Sequence, residues 1–112
     1  MVDKAGLSLM LDYYGSFLTE RQLELMRMSA DEDMSLSEIS EQVGVSRQAV
    51  RDSLSKAAKE LSLLEERLGL VERDRRLMAV CEKLEAAEET SSGEELLTAV
   101  KESAEEIRAL IR

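Results

Sequence analysis

The chain has 112 residues, no proline, no histidine, one cysteine and a formal net charge of −9, which suits one compact helical domain with an extension and leaves too little chain for two independent cores. A lone cysteine without histidine excludes an internal disulfide, a structural zinc site and histidine-based catalysis. Hydrophobic residues make up 44% of the chain, aromatics 3%, with six methionines, so an aliphatic, adaptable core is expected.

From Leu7 to Leu18 the residues Leu7, Met10, Leu11, Tyr14, Phe17 and Leu18 fall at helical spacing, with Asp12 and Ser16 facing away, and predict a first core helix. Tyr13, Tyr14 and Phe17 are the chain's only aromatics. Their clustering suits an anchor against the domain or against a second copy of it. Thr19, three residues before Gln22, forms a capping box that opens the next helix, whose apolar stripe is Leu23, Met26 and Ala30. Asp31, Glu32 and Asp33 then make an acidic connector. It lacks the glycine and the distant bidentate glutamate of a calcium loop, so a solvated loop is expected.

The most informative stretch runs from Ser35 to Leu54. Ser35 stands three residues before Glu38 as a second capping box, and Ser46 opens another apolar-periodic run three residues after Val43. Gly44 supplies the joint, because a residue just past a helix end often needs a left-handed backbone that costs glycine nothing. Leu36, Ile39 and Val43 form the buried stripe of the shorter helix, and Val45, Ala49, Val50 and Leu54 are expected to continue it through the turn. Arg47, Gln48, Arg51 and Ser55 are left on the outer face. This is the pattern of a helix-turn-helix, whose second helix places N-terminal side chains in the major groove. Arginine grips guanine and glutamine grips adenine by paired hydrogen bonds, so Arg47, Gln48 and Arg51 suit base edges, with Ser46 and Ser55 beside them and Lys56 and Lys59 on phosphates. The same residues also suit a protein or RNA contact, or plain solvated surface with Ser46 as an N-cap. Arg47, Arg51, Lys56 and Lys59 against Asp52 and Glu60 give this helix a balance of +2 on an acidic body. Binding to DNA is therefore expected to need a dimer, a partner or low salt.

Beyond Leu54 the helix does not stop. Val50, Leu54, Ala57, Leu61, Leu64 and Leu68 follow steps of four and three, the spacing that lines a helix for a partner helix, until Gly69 caps it. Val71, Leu77, Cys81 and Leu84 predict a further helix, with Cys81 as a small buried apolar group and Arg73, Arg75 and Arg76 beside Glu72 and Asp74 on its outer face. Glu88 to Gly93 reads as a linker. Ser92 with Glu95 suggests a third capping box, and Leu97, Val100, Ala104, Ile107 and Ile111 give the final helix one apolar stripe. That stripe must be covered, either by the preceding helix as a hairpin or by another subunit.

The predicted fold is all-α: a helix-turn-helix domain over 1–68, with no wing, and a long helical dimerisation extension over 69–112. No strand-like alternation, signal sequence or membrane-spanning apolar run is visible, so a soluble cytoplasmic protein without membrane insertion is expected. With no phosphate-cradling glycine loop and no nucleophile beside a base, neither an enzyme nor a cofactor is expected.

From Leu18 to Leu54 the chain resembles the promoter-reading helix-turn-helix region of bacterial sigma factors, with L-T-E-R-Q ahead of S-L-S-E-I-S-E-Q-V-G-V-S-R-Q-A-V. L-D-Y-Y-G-S-F-L-T-E-R-Q, S-R-Q-A-V-R-D-S-L and the following E-E-R-L-G-L extend the match: from about Leu7 to Leu84 the chain is similar to the YlxM family of small bacterial helix-turn-helix proteins, with the tail from Thr90 outside it. The resemblance implies an all-helical regulator associated with the signal recognition particle pathway that binds DNA or the particle, the latter as an interaction module contacting its GTPase or its RNA complex; the homodimer is expected from the Leu-striped extension. It brings no catalytic residues.

Overall fold

The computed structural model describes residues 4–111. They form six α-helices and one 3₁₀ turn: α1 Lys4–Tyr14, the turn Gly15–Phe17, α2 Glu20–Ala30, α3 Leu36–Val43, α4 Arg47–Leu68, α5 Leu70–Thr90 and α6 Glu94–Leu110. The fold is all-α. The chain divides into two compact units, Met1–Val71 and Glu72–Arg112.

In the first unit α4 is the spine, and two groups of apolar side chains pack along it. Met10, Leu11, Tyr14, Leu18 and Met26 close on Ala57 and Leu61, while Leu25, Met28 and Ile39 close on Val50. Leu54 packs against both groups. The α4 stripe that carries partner-helix spacing is thus covered by the chain's own α1, α2 and α3 over Val50, Ala57 and Leu61. Helix α2 is buried on two sides, through Met26 in one group and Leu25 and Met28 in the other, so its 23–26–30 stripe was only half of its packing surface.

Both early capping boxes form. Thr19 Oγ1 accepts from Gln22 N at 3.2 Å while Gln22 Oε1 accepts from Thr19 N at 3.0 Å, and Ser35 and Glu38 do the same at 3.1 Å each way. Each box satisfies two N–H groups that a helix start leaves without partners. Gly44 ends α3 at φ +80°, with its N–H donating to Ser40 O, and Gly69 ends α4 at φ +63°.

Several expectations are corrected by the packing. Phe17 is 60% exposed, because α1 ends at Tyr14 and the α-helical periodicity that places Phe17 inward does not carry into the turn Gly15–Phe17. Val45 and Ala49 are exposed: Val45 sits in the turn, and Ala49 lies a helical step of about 100° from buried Val50. The acidic connector, by contrast, is exposed at all three residues as expected, and its ends are tied: Lys4 pairs with Asp33, and Asp31 accepts from Ser8 Oγ at 2.5 Å and pairs with Arg27 at 3.0 Å. Ser8 and then Arg27 hold the Asp31 carboxyl below its ordinary range.

The junction between α4 and α5 is held by buried Tyr14. Its hydroxyl donates to Glu65 Oε1 at 2.5 Å and accepts from Leu70 N at 3.1 Å, and Val71 N donates to the same Glu65 oxygen at 3.0 Å. The opening N–H groups of α5 are therefore capped from α1 and α4.

In the second unit α5 and α6 are joined by the short segment 91–93, since α5 runs on to Thr90. Lys83 on α5 pairs with Glu106 at 3.0 Å and Glu102 at 3.3 Å on α6, and those carboxylates, Glu106 first, raise its pKa. The two helices thus form a hairpin. Its buried side chains among the described residues are Val80 and Ser103. Cys81 is exposed, a correction that follows from Val80 taking the inward position one residue earlier. The Ser92–Glu95 box does not form, because Gly93 takes the N-cap position at φ +60° and has no side chain with which to cap. Helix α6 buries Ser103 and half-buries Leu96, Ala99, Ile107 and Leu110, with the Lys83 pairs to Glu102 and Glu106 at the exposed edge, and the predicted stripe residues Leu97, Val100, Ala104 and Ile111 are left exposed.

Candidate nucleic-acid interface

The helix-turn-helix is built by α3, the turn at Gly44 and Val45, and the first turns of α4. Ile39 and Val50 are both fully buried and hold the two helices against α2. Within the turn Ser40 Oγ donates to Val45 O at 2.5 Å. Ser46 Oγ accepts from Ala49 N at 3.1 Å, so its structural role as N-cap is met and its side chain is already engaged. Held this way, the start of α4 faces outward.

Arg47, Gln48, Arg51, Ser55, Lys56 and Lys59 are all exposed. The chain's own helices do not wall them in. Arg47 Nη1 reaches Ser37 Oγ at 3.4 Å, and Gln48 Nε2 donates to Asp52 Oδ1 at 2.9 Å. Among the described residues Arg51, Lys56 and Lys59 form no ion pair. Arg47, Gln48 and Arg51 line one side of an open cleft whose other side is the first turn of α3, Ser35, Leu36 and Ser37. Two guanidiniums, an amide and the N–H-rich start of a helix meet there, donors suited to an anion or to the acceptor edge of a base.

Ser55, Lys56 and Lys59 are not part of that cleft. They line a shallow depression with Ala49, Asp52 and Ser53, and Lys59, twelve residues after Arg47, stands about 18 Å further along the helix at 1.5 Å per residue. A base-edge role for Ser55 would use a separate surface from the arginines. Periodicity alone does not single out Ser35 to Ser37, which it presents only as a cap and the start of a buried stripe. The Ser35–Glu38 box does signal where α3 begins, and the tight Gly44 joint brings that start beside α4.

The family model whose description is "Putative helix-turn-helix protein, YlxM / p13 like" matches residues 1–103. The chain belongs to the UPF0122 family. The match takes in α5 and most of α6, so the tail beyond Thr90 is part of the family pattern up to residue 103, not outside it. This UPF0122 chain is 39% identical over 108 residues to a UPF0122 protein of Thermoanaerobacter sp. (strain X514), covering 93% of the chain and 92% of that protein. It is 34% identical over 109 residues to a UPF0122 protein of Clostridium perfringens (strain SM101 / Type A), covering 96% and 97%. Against a UPF0122 protein of Desulforamulus reducens the identity rises to 52%, over 65 residues that cover 58% of the chain and 56% of that protein. No described helix of this UPF0122 protein is long and apolar enough to cross a membrane.

Proposed function

We propose that this UPF0122 protein is a regulatory helix-turn-helix protein that binds nucleic acid, DNA first, through the start of α4, in connection with the signal recognition particle pathway that the YlxM resemblance implies. The observation that carries the reading is the outward cleft in which Arg47, Gln48 and Arg51 stand beside the first turn of α3. Arg47 and Arg51 offer paired donors to guanine edges or phosphates, Gln48 can exchange its Asp52 partner for an adenine edge, and Lys56 and Lys59 supply phosphate contacts further along.

The test is selection of a DNA site from random duplexes, followed by titration at several salt concentrations. Arg47→Ala with Arg51→Ala is expected to weaken binding about tenfold to a hundredfold, and each lost phosphate contact lowers the salt slope by roughly one. Unchanged affinity refutes the use of this face for DNA.

A second reading is favoured by charge. The unit that carries the motif has eight Lys and Arg against thirteen Asp and Glu, a balance of −5, which opposes phosphate backbones and suits a basic protein surface. In that reading the exposed start of α4 and the acidic, Leu-striped extension together contact a basic protein such as the particle's GTPase, or its RNA complex, without reading DNA sequence. Titration of the purified GTPase and its RNA with the same double variant separates the two readings.

A further inference from the structure

The hairpin of α5 and α6 leaves much of its apolar surface uncovered. Val80 and Ser103 are its buried side chains, while Leu97 is 70%, Ile111 72% and Met78 60% exposed, with Val100 also exposed. Around Val80 and Ser103 the side chains of Leu77, Leu84, Leu96, Ile107 and Leu110 are only half-buried, so the shared interior is small. The uncovered side of α6 has a definite pattern. Exposed Leu97, Val100, Ala104 and Ile111, with half-buried Ile107 at the edge, advance by three, four, three and four residues, the 3.5-residue repeat of a seam that another helix covers.

The charges set the orientation in which a second copy fits. In the loop-side half of the hairpin, residues 81–102, seven carboxylates stand against Lys83 and Lys101. In the open-end half, residues 72–80 and 103–111, Arg73, Arg75, Arg76 and Arg108 balance Glu72, Asp74, Glu105 and Glu106. A foreign acidic helix, or a parallel copy, would set carboxylates against carboxylates. An antiparallel copy sets each acidic end beside the other copy's neutral end, where Arg73, Arg75 and Arg76 pair within α5 and Arg108 forms no ion pair among the described residues. Glu94, Lys101 and Arg108 also follow one another at seven-residue intervals along the flank of the seam. The antiparallel register that faces Leu97 with Ile107 and Val100 with Ala104 brings Glu94 across from Arg108 of the second copy, twice by symmetry.

We infer that a second copy of this chain covers the Leu97–Ile111 face of α6, the two hairpins packing antiparallel about a twofold axis as a four-helix bundle. The inference goes beyond the nucleic-acid reading and does not rest on it, since its readout is mass in the absence of any nucleic acid.

The test uses the full chain in size-exclusion chromatography with light scattering at micromolar concentration. The expected mass is twice the 12.6 kDa of one chain. Leu97→Glu with Val100→Glu places charge only at positions exposed in the single chain, and is expected to give 12.6 kDa with the helical circular dichroism retained. Arg108→Glu is expected to raise the dimer dissociation constant about fivefold to tenfold, and Glu94→Arg added to it restores the starting value. If the paired glutamates unfold α6, the charge-reversal pair, which leaves the seam intact, decides. A wild-type chain that stays at 12.6 kDa overturns the inference and leaves the face to a different protein. A folded paired-glutamate variant that keeps the doubled mass overturns it too, as does a Glu94→Arg change that fails to restore Arg108→Glu.

Discussion

Tyr14→Phe removes one oxygen from a fully buried position and nothing else. The ring still fills its place among Met10, Leu11, Met26 and Leu61, so no cavity is created and the loss is confined to the hydroxyl. That hydroxyl donates to Glu65 Oε1 at 2.5 Å and accepts from Leu70 N at 3.1 Å. Without it, Leu70 N–H at the start of α5 loses its partner, and Glu65 keeps only the Val71 N–H of these two donors. A hydrogen bond to a charged group contributes about 1.5–3 kcal/mol net, and water reaching this part-buried junction places the cost near the lower end, about 1.5 kcal/mol. For a unit of this size that corresponds to a fall in Tm of about 6–12 °C by circular dichroism or calorimetry.

The pH dependence has a definite sign. Burial first, then the hydrogen bond to Glu65, pushes the Tyr14 phenol above its ordinary pKa of 10.0, against the opposing Leu70 N–H. The folded state therefore holds the phenolic proton more tightly than the unfolded state. Its contribution is complete below pH 10 and is lost as pH rises through the higher folded value. The stability gap between wild type and Tyr14→Phe is expected to be constant through neutral pH and to shrink in alkali. A Tyr14→Phe protein that melts with wild type at pH 7, or a gap that widens above pH 10, would refute the latch and its ionisation argument.

Two further substitutions test the joint of the motif and the interior of the hairpin. Gly44→Ala meets open space, with nothing within 4 Å of the added carbon, but φ is +80°; its cost is the left-handed strain alone, about 1–2 kcal/mol in urea unfolding, and a neutral result would mean that the joint relaxes. Ser103→Ala removes a buried Oγ that has no hydrogen-bond partner among the described residues and favours helix. It is expected to stabilise the chain by about 1 kcal/mol, measured as a higher Tm; a lower Tm would show that the hydroxyl has a partner in solution.

Features within one turn of the chain were legible in the sequence. The Thr19–Gln22 and Ser35–Glu38 boxes, the Gly44 and Gly69 caps and the Ser46 N-cap depend on residues three or four apart, and that spacing is all they need. The outward position of Arg47, Gln48 and Arg51 was legible for the same reason: once Ile39 and Val50 are inward, helical geometry assigns the rest. The partnership of those residues with Ser35 to Ser37 was not, because it is a contact between two helix starts that neither helix's periodicity encodes.

Where an apolar stripe goes is a different kind of question, and only the tertiary structure decided it. Periodicity marks a helix side as apolar without saying what lies opposite. The α4 stripe and the α6 stripe follow similar steps, yet Val50, Ala57 and Leu61 are enclosed by the chain's own helices while Leu97, Val100 and Ile111 face out. The difference lies in distant residues: α1 and α2 bring Tyr14, Leu25 and Met26 onto α4, whereas α6 turns Leu96, Ala99, Ser103, Ile107 and Leu110 away from solvent and leaves Leu97, Val100 and Ile111 free. Local sequence determined the helices, their ends and the exposed arginine face, since those follow from backbone geometry over a few residues. The choice of which apolar faces meet belongs to contacts far apart along the chain, and these exist only once it has folded.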